Sequence, residues 1–242
     1  MNQIVTPYKD QATGKKEQVA TMFNNIAHRY DFLNQLLSLG IHKGWRRKAV
    51  KMIGAVKPKN ILDIATGTGD FAIEAMTLDP LKVTGVDISE GMLKFGVEKV
   101  RKLGLSDKIE LKKGDSENLP FTDSSFDAIT VGFGVRNFEN LEKGINEIWR
   151  VLKPGGMIAI LEFSKPRKFP VKQFYHFYFR FITPFIGRIF SKDSSAYTYL
   201  PESVKAFPDG DDFLAVLKKA GFKEVKARPL TFGIASIYSA VK

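Results

Sequence analysis

The sequence predicts a doubly wound α/β domain with a mostly parallel sheet, a helical segment before it and a helical insertion after the fifth strand. Three observations carry this expectation. Short apolar segments alternate with helical patterns from Asn60 onward, the first segment runs into a glycine turn, and acidic residues close the first three segments. In sheets of this kind, ligands sit outside the carboxyl ends of the strands, where the strand order reverses.

The elements follow in order. Val19, Met22, Phe23 and Ile26 recur at i, i+3, i+4 and i+7, which marks one face of an N-terminal helix. A second helix is expected from about Gly44, with Arg46, Arg47 and Lys48 beside Trp45, Val50 and Ile53. Residues 61–64 form the first strand, and a helix follows from about Phe71. Residues 82–86 form the second strand, ending at Asp87, and the spacing of Met92, Phe95, Val97 and Val100 gives a helix over about 91–103. The third strand spans 108–112, ahead of Gly114 and Asp115, and the fourth spans 126–131. Asp127 precedes most of that strand's apolar run and reads as structural. A helix near 141–152 is expected to stop at the breakers Lys153-Pro154-Gly155-Gly156, with the fifth strand at 157–163. An aromatic-rich insertion and a last βαβ-like stretch complete the chain. The 242 residues thus read as one domain, with residues 1–56 or so as a helical lid and about 165–206 as the insertion.

Composition narrows the function. The absence of cysteine removes disulfides, thiolate metal sites and a cysteine nucleophile, and favours a cytoplasmic protein. His28, His42 and His176 lie far apart without ligand-like pairing, so no metal site is expected. The N-terminus lacks a secretory pattern, and no apolar run reaches the roughly 18 residues of a spanning helix. The net charge of +11 suits either an anionic partner surface or simple solubility.

The glycine turn is Asp63-Ile64-Ala65-Thr66-Gly67-Thr68-Gly69-Asp70. Gly67 and Gly69 permit a tight turn and close approach of a ligand, and the next helix offers free N–H donors. Gly67-x-Gly69-x-x-Ala72 also fits a dinucleotide fingerprint. The carboxylates oppose that reading. Asp63 would repel a pyrophosphate but suits a cationic amino group, Asp87 can accept from both hydroxyls of a ribose, and Asp115-Ser116 can meet an adenine. With the turn Arg150-Val151-Leu152-Lys153-Pro154-Gly155-Gly156, the order and spacing resemble class I methyltransferases, which implies S-adenosyl-L-methionine as cofactor.

Two longer stretches narrow the resemblance. Tyr30-Asp31-Phe32-Leu33-Asn34-Gln35-Leu36-Leu37-Ser38-Leu39-Gly40-Ile41-His42-Lys43-Gly44-Trp45 and the run from Arg150 to Glu162-Phe163-Ser164 resemble the two signatures of the ubiquinone/menaquinone biosynthesis methyltransferases, the UbiE/MenG family. The likeness covers the chain from about Lys16 onward. It departs at Leu33, where the family usually has Met, and at Gly132, where some members have Ser. The resemblance implies transfer of a methyl group to a ring carbon of a polyprenylated quinol. It implies cofactor contacts for Thr68, Asp87, Asp115 and Ser116, and places Gly134-Val135-Arg136-Asn137 beside the transferred methyl. The absence of an organellar targeting pattern favours the naphthoquinol, demethylmenaquinol, over a benzoquinol.

A hydroquinone becomes nucleophilic at carbon as its hydroxyl loses a proton, so the reaction needs a group that stabilises phenolate character. Arg136 is the first candidate for that role and Asn137 the second; the alternative for Arg136 is a structural ion pair with Asp115 or Glu139. Tyr30, His42 and His176 are candidates to touch the substrate. In the insertion, Phe174, Phe177, Tyr178 and Phe181 share one helical face and Lys172, His176 and Arg180 another, between Pro170 and Pro184. That pattern suits peripheral contact with the inner face of the cell membrane, a greasy tunnel mouth, a homodimer contact, or a helix packed on the core. Methylation of RNA or DNA is the rival activity. The missing cysteine opposes cytosine C5 chemistry, and Gly132-Phe133-Gly134-Val135 replaces the Asn/Asp-Pro-Pro-aromatic turn of amino-methylating enzymes, so no nucleic-acid partner is expected.

Overall fold

The computed structural model describes residues 5–9, 11–178, 181 and 195–242, except for the side chains of His176 and Tyr197. Its helices are α1 (Lys15–Ile26), α2 (Tyr30–Ser38), α3 (Ile41–Ile53), α4 (Asp70–Ala75), α5 (Glu90–Lys102), α6 (Leu141–Val151), α7 (Val171–Phe177), α8 (Ser195–Ala206) and α9 (Asp211–Lys219). Its strands are β1 (Asn60–Ile64), β2 (Lys82–Asp87), β3 (Ile109–Lys113), β4 (Phe126–Gly132), β5 (Leu152–Phe163), β6 (Lys223–Leu230) and β7 (Ala235–Val241). They form one seven-stranded sheet in the order β3-β2-β1-β4-β5-β7-β6. The first five run parallel, and β7 is antiparallel to both its neighbours.

The strands are apolar because both faces are covered. Leu62, Ile64, Ile129, Val131, Ile158 and Ile160 face Ile145, Ile148 and Val151 of α6 and Phe213 and Leu217 of α9. The alternate residues Ile61, Val83, Ala128, Ala159 and Leu161 face Ala49, Val50 and Ile53 of α3, Ala72 of α4 and Val100 of α5. Each fully buried Ile or Leu contributes about 1.5–3 kcal/mol. Capping sets two helix starts: the Ser89 hydroxyl accepts from Met92 N at 3.2 Å, and Asn140 Oδ1 accepts from Lys143 N at 2.9 Å.

Three boundaries differ from expectation. The second helix begins at Ile41 rather than Gly44, entered through Gly40 at φ +77°. The fifth strand begins at Leu152, directly after α6, because Leu152 pairs with Phe126 before the register shifts; Pro154 and Gly155 lie in its exposed first half rather than in a separate turn. The last stretch is α9 followed by an antiparallel β6–β7 pair, not a βαβ unit. Edge strand β6 carries Lys223, Lys226, Arg228 and Pro229, residues that discourage pairing with another chain. Asp127 is structural, as expected: it accepts from Lys59 N and Asn60 N and pairs with Lys153 at 2.7 Å.

The N-terminal helices divide. α3 belongs to the sheet core, whereas Val19, Met22 and Ile26 of α1 and Leu33 of α2 form a separate cluster with Ala196 and Tyr199 of α8. That cluster lies over the strand tips, where the site is.

Candidate active site

The reversal of strand order between β1 and β4 opens the sheet at its carboxyl end, and two cavities meet there. The narrower, about 60 Å³, is lined by Asp87, Ile88, Met92, Asp115, Ser116 and Asn137. The larger, about 570 Å³, is lined by Asp63, Arg136, Tyr175, Tyr199, His42 and a surround of apolar and aromatic side chains. Phe23, Tyr30, Ala65, Gly67, Gly132 and Phe133 border both, so the two spaces share a wall at the tips of β1 and β4.

The narrow cleft is built by strand ends. Gly67 turns at φ +55°, and its N–H donates to Asp87 Oδ2 at 2.8 Å while Ser89 N donates to Oδ1 at 2.8 Å. Burial raises the pKa of Asp87, and these backbone donors counter it. Asp115 accepts from Glu117 N at 2.9 Å and pairs with Lys16 of α1 at 2.7 Å; Lys16 also reaches Glu117 at 3.3 Å. Lys16 therefore lies across the outer end of the cleft. Asn137 Oδ1 is buried without a hydrogen-bond partner among the described residues, while its Nδ2 donates to the Phe133 carbonyl at 3.3 Å.

Asp63 ends β1 beneath the larger cavity. It accepts from the Thr66 hydroxyl at 2.5 Å and the Thr130 hydroxyl at 2.8 Å. Burial still pushes its pKa up to about 7, against those hydrogen bonds and with help from Asp87. Thr68 lines the larger cavity with its hydroxyl engaged: it donates to Asp31 of α2 at 2.6 Å and accepts from Lys99 at 3.1 Å. It fastens α2 to the glycine turn. Gly69, at φ +80°, caps α4 and borders neither cavity.

Arg136 faces the larger cavity, but its ion pair is neither with Asp115 nor with Glu139. Its Nη1 donates to Glu162 at 2.8 Å and to the Phe133 carbonyl, and its ring neighbour is Phe163. The reason is the sheet register. Gly132 pairs with Leu161, so the loop after β4 starts beside Glu162, while Asp115 is occupied by Lys16 and Glu139 by Lys15 N. Glu162 is 0% exposed, and burial raises its pKa although Arg136 pulls it down. A lone carboxylate inside the apolar fifth strand was the available signal for it. Gly132 is dictated by packing, since a Cβ there would lie 2.5 Å from the Phe71 ring.

Among the residues suggested for substrate, Tyr30 borders both cavities and packs edge-on against Phe23. His42 stands at the outer part of the larger cavity, its Nδ1 2.5 Å from the Ser38 hydroxyl, and burial with Arg46 nearby lowers its pKa. His176 falls in α7, but its side chain lies outside the described residues, as do Phe179, Arg180 and Pro184. Tyr199, Tyr175 and Phe133 also line the cavity, and no local pattern marks them for it.

The rim of the larger cavity is exposed and apolar. Leu39 is 81% exposed, Phe174 71% and Phe177 56%, and all three line the cavity; Phe169 and Phe232, 79% and 82% exposed, flank the lining residues Val171 and Thr231 in the chain. The expected aromatic face of α7 is thus turned outward at the mouth and is not packed away on the core. Tyr178 is the exception, donating to the Leu37 carbonyl at 2.8 Å. No described helix is long and apolar enough to cross a membrane.

Comparison with known proteins agrees with this architecture. The chain is 51% identical to a demethylmenaquinone methyltransferase of Bacteroides fragilis, over 98% of this chain and 97% of that protein. It is 47% identical to a ubiquinone/menaquinone biosynthesis C-methyltransferase UbiE of Geotalea daltonii, over 95% and 98%. Among solved structures, a SAM-dependent methyltransferase from Thermotoga maritima superposes with a TM-score of 0.62 at 20% identity, covering 92% of this chain and 99% of that one, which shows the shared class I fold. The description of the ubiE/COQ5 methyltransferase family matches residues 11–242, and the chain belongs to that family.

Proposed function

We propose that the protein is an S-adenosylmethionine-dependent C-methyltransferase that converts demethylmenaquinol to menaquinol at the inner face of the cell membrane. The observation that carries the reading is the junction of a small, acid-lined cleft with a 570 Å³ apolar cavity whose mouth is rimmed by exposed Leu and Phe side chains. Relatives named for demethylmenaquinone support the naphthoquinol over a benzoquinol.

The cleft fits the cofactor by the chemistry of its donors and acceptors. Asp87 offers carboxylate oxygens to ribose hydroxyls, Ile88 and Met92 flank a planar base, and Asp115 and Ser116 stand where an adenine edge would end. The partnerless acceptor of Asn137 awaits a donor on the same wall. Asp63, near Gly67 on the shared boundary, suits an ammonium group. When bound, the cofactor supplies a methyl group on a sulfonium, already electrophilic enough to need no activation.

The remaining work falls to the chain. Phe133, Ala65 and Gly67 shape the boundary across which the ring carbon must meet the methyl group in line. Arg136 presents a fixed cation, held by Glu162, to the quinol oxygen as it loses its proton. The apolar walls exclude bulk water. α1 and α2 act as the lid, fastened by Asp31 to Thr68 and by Asn24 to Ser89 and Gly91 N, each at 2.6–2.8 Å. The exposed rim enters the lipid surface so that an isoprenoid tail passes into the cavity without crossing water, and the net charge of +11 favours acidic lipid.

The test is incubation with methyl-labelled cofactor and demethylnaphthoquinol or its benzoquinol counterpart, with products identified by mass. Menaquinol is expected as the main product; methylation of the benzoquinol alone changes the substrate, and of neither removes the reading. Replacing Leu39, Phe174 and Phe232 by Ser together is expected to release the protein from acidic vesicles, and undiminished binding would refute the membrane contact.

A further inference from the structure

Tyr199 lines the larger cavity with its polar atom unmet. Its ring packs among Val19, Met22, Ile26 and Leu33, and the residue is only 3% exposed. It lines the same cavity as Arg136, and its hydroxyl is buried with no hydrogen-bond partner among the described residues. A buried hydroxyl left unmatched costs free energy, because burial strips its water without replacement. A bound molecule with an acceptor oxygen at this place would restore the bond. Arg136 shares the condition: its Nη1 is engaged by Glu162, yet its buried Nε has no partner.

The state of the phenol decides what it can do. Burial, the largest influence, raises its pKa; the Arg136 guanidinium counters that and Glu162 adds to it. Tyr199 therefore stays protonated at neutral pH and acts as a donor, not as a base. The helix that carries Tyr199, α8, packs directly against residues 135–137, so the tyrosine and Arg136 come from adjoining elements of one wall.

We propose that Tyr199 is a catalytic residue that donates a hydrogen bond to the quinol oxygen next to the methylated carbon, sharing this oxygen with Arg136. The proposal rests on the quinol reading above. In the reaction the quinol O–H proton passes to water, and the oxygen charge delocalises onto the neighbouring ring carbon. That carbon forms a bond to the methyl group as the methyl–sulfur bond breaks, its electron pair staying on sulfur. The ring carbon's own proton then leaves to water, the ring regains aromaticity, and the phenolate oxygen takes a proton back from water. Net, one proton is released and the sulfonium becomes a neutral thioether. Two donors on the oxygen favour its ionised form, and so lower the pH at which the bound quinol becomes reactive.

Tyr199→Phe keeps the ring and removes only the donor. Its kcat at pH 7 is expected to fall about 10- to 100-fold, with quinol KM and cofactor affinity little changed. The acid limb of log kcat against pH should move to higher pH, so that the loss shrinks as pH rises. Replacement of Tyr199 by 3-fluorotyrosine, a more acidic donor, should move that limb the other way and serves if the phenylalanine variant fails to fold. Wild-type kcat with an unmoved limb, or an equal loss at every pH, overturns the proposal. Wild-type protein that methylates neither quinol fails the substrate reading and takes this proposal with it, whereas wild-type turnover with an indifferent Tyr199→Phe fails the tyrosine alone.

Discussion

The two cavities that meet at the tips of β1 and β4 are made of different materials. The cleft beside Asp87 is small and acid-lined; its carboxylates stand at strand ends and in the turns that follow them, and Phe23 of α1 and Tyr30 of α2 border it as they border the cavity. The cavity beside Arg136 is nearly ten times larger, about 570 Å³ against 60 Å³, and to the strand ends and α3 it adds walls from α1, α2, α7 and α8. The sheet register fixes the first, because each carboxylate is placed by its strand. Packing between appended helices shapes the second. On the proposed function, the chemistry common to the fold belongs to the sheet, and the choice of substrate to the additions.

The sharpest way to separate the regions is to disable the larger cavity while sparing the cleft. Arg136→Ala alone leaves Glu162 buried without its cation, and breaking such a pair costs about 3–5 kcal/mol of stability. The double variant Arg136→Gln, Glu162→Gln replaces it with a neutral amide pair. It should unfold near the wild-type temperature, lose about 10²- to 10³-fold in kcat and keep its cofactor affinity by calorimetry. Full turnover in that variant would retire Arg136 from the reaction, and lost cofactor binding would show that the two regions are not separable.

Legibility follows the same division. The strand-tip carboxylates could be read from the chain because a buried parallel strand is a continuous apolar run, and the acidic residue closing it marks the tip: Asp63 lies there at the larger cavity, Asp87 and Asp115 at the cleft. The partner of Arg136 could not be read this way. Asp115 and Glu139 are near in the chain or at strand ends, whereas Glu162 reaches Arg136 only through the pairing of β4 with β5. Tyr199 and Phe133 were hidden because an aromatic residue facing a cavity and one filling a core obey the same periodicity. Thr68 lies in the glycine motif, yet its hydroxyl serves Asp31, a residue 37 positions away that no local pattern connects to it.

Disabling the cleft should give the reverse result. Asp87→Ala removes a carboxylate that receives two backbone donors, and charge-assisted hydrogen bonds to a ligand are worth about 1.5–3 kcal/mol. Cofactor Kd should rise about 10- to 100-fold, with no loss of vesicle binding. Asp63 adds a pH dependence with a defined sign. Its pKa in the folded protein is raised to about 7, so below that pH it is mostly protonated and an arriving ammonium group must expel a proton. Affinity should fall as pH drops through 7 toward 5, approaching tenfold per unit, and binding should release protons in that window. Asp63→Asn should flatten the profile. A flat wild-type profile would mean that no cation meets Asp63.

The smallest effect tests whether the cleft is as independent of the added helices as its residues suggest. Lys16 is on α1, yet it holds Asp115 at 2.7 Å and Glu117 at 3.3 Å across the cleft's outer end. For Asp115 to meet an adenine edge, its carboxylate must let go of Lys16, so on the proposed function this pair parts when the nucleoside enters. With about a third of the lysine side chain exposed, the pair is worth about 0.2–1 kcal/mol after solvent screening. Lys16→Met should therefore tighten cofactor binding by up to about fivefold, mainly through faster association in stopped-flow. It should also reduce the effect of salt on that association, since the contact that salt weakens is gone. Weaker binding in the variant would have the opposite meaning: the lysine would be part of the bound cleft, and the helical addition would contribute to the cofactor site as well as to the cavity.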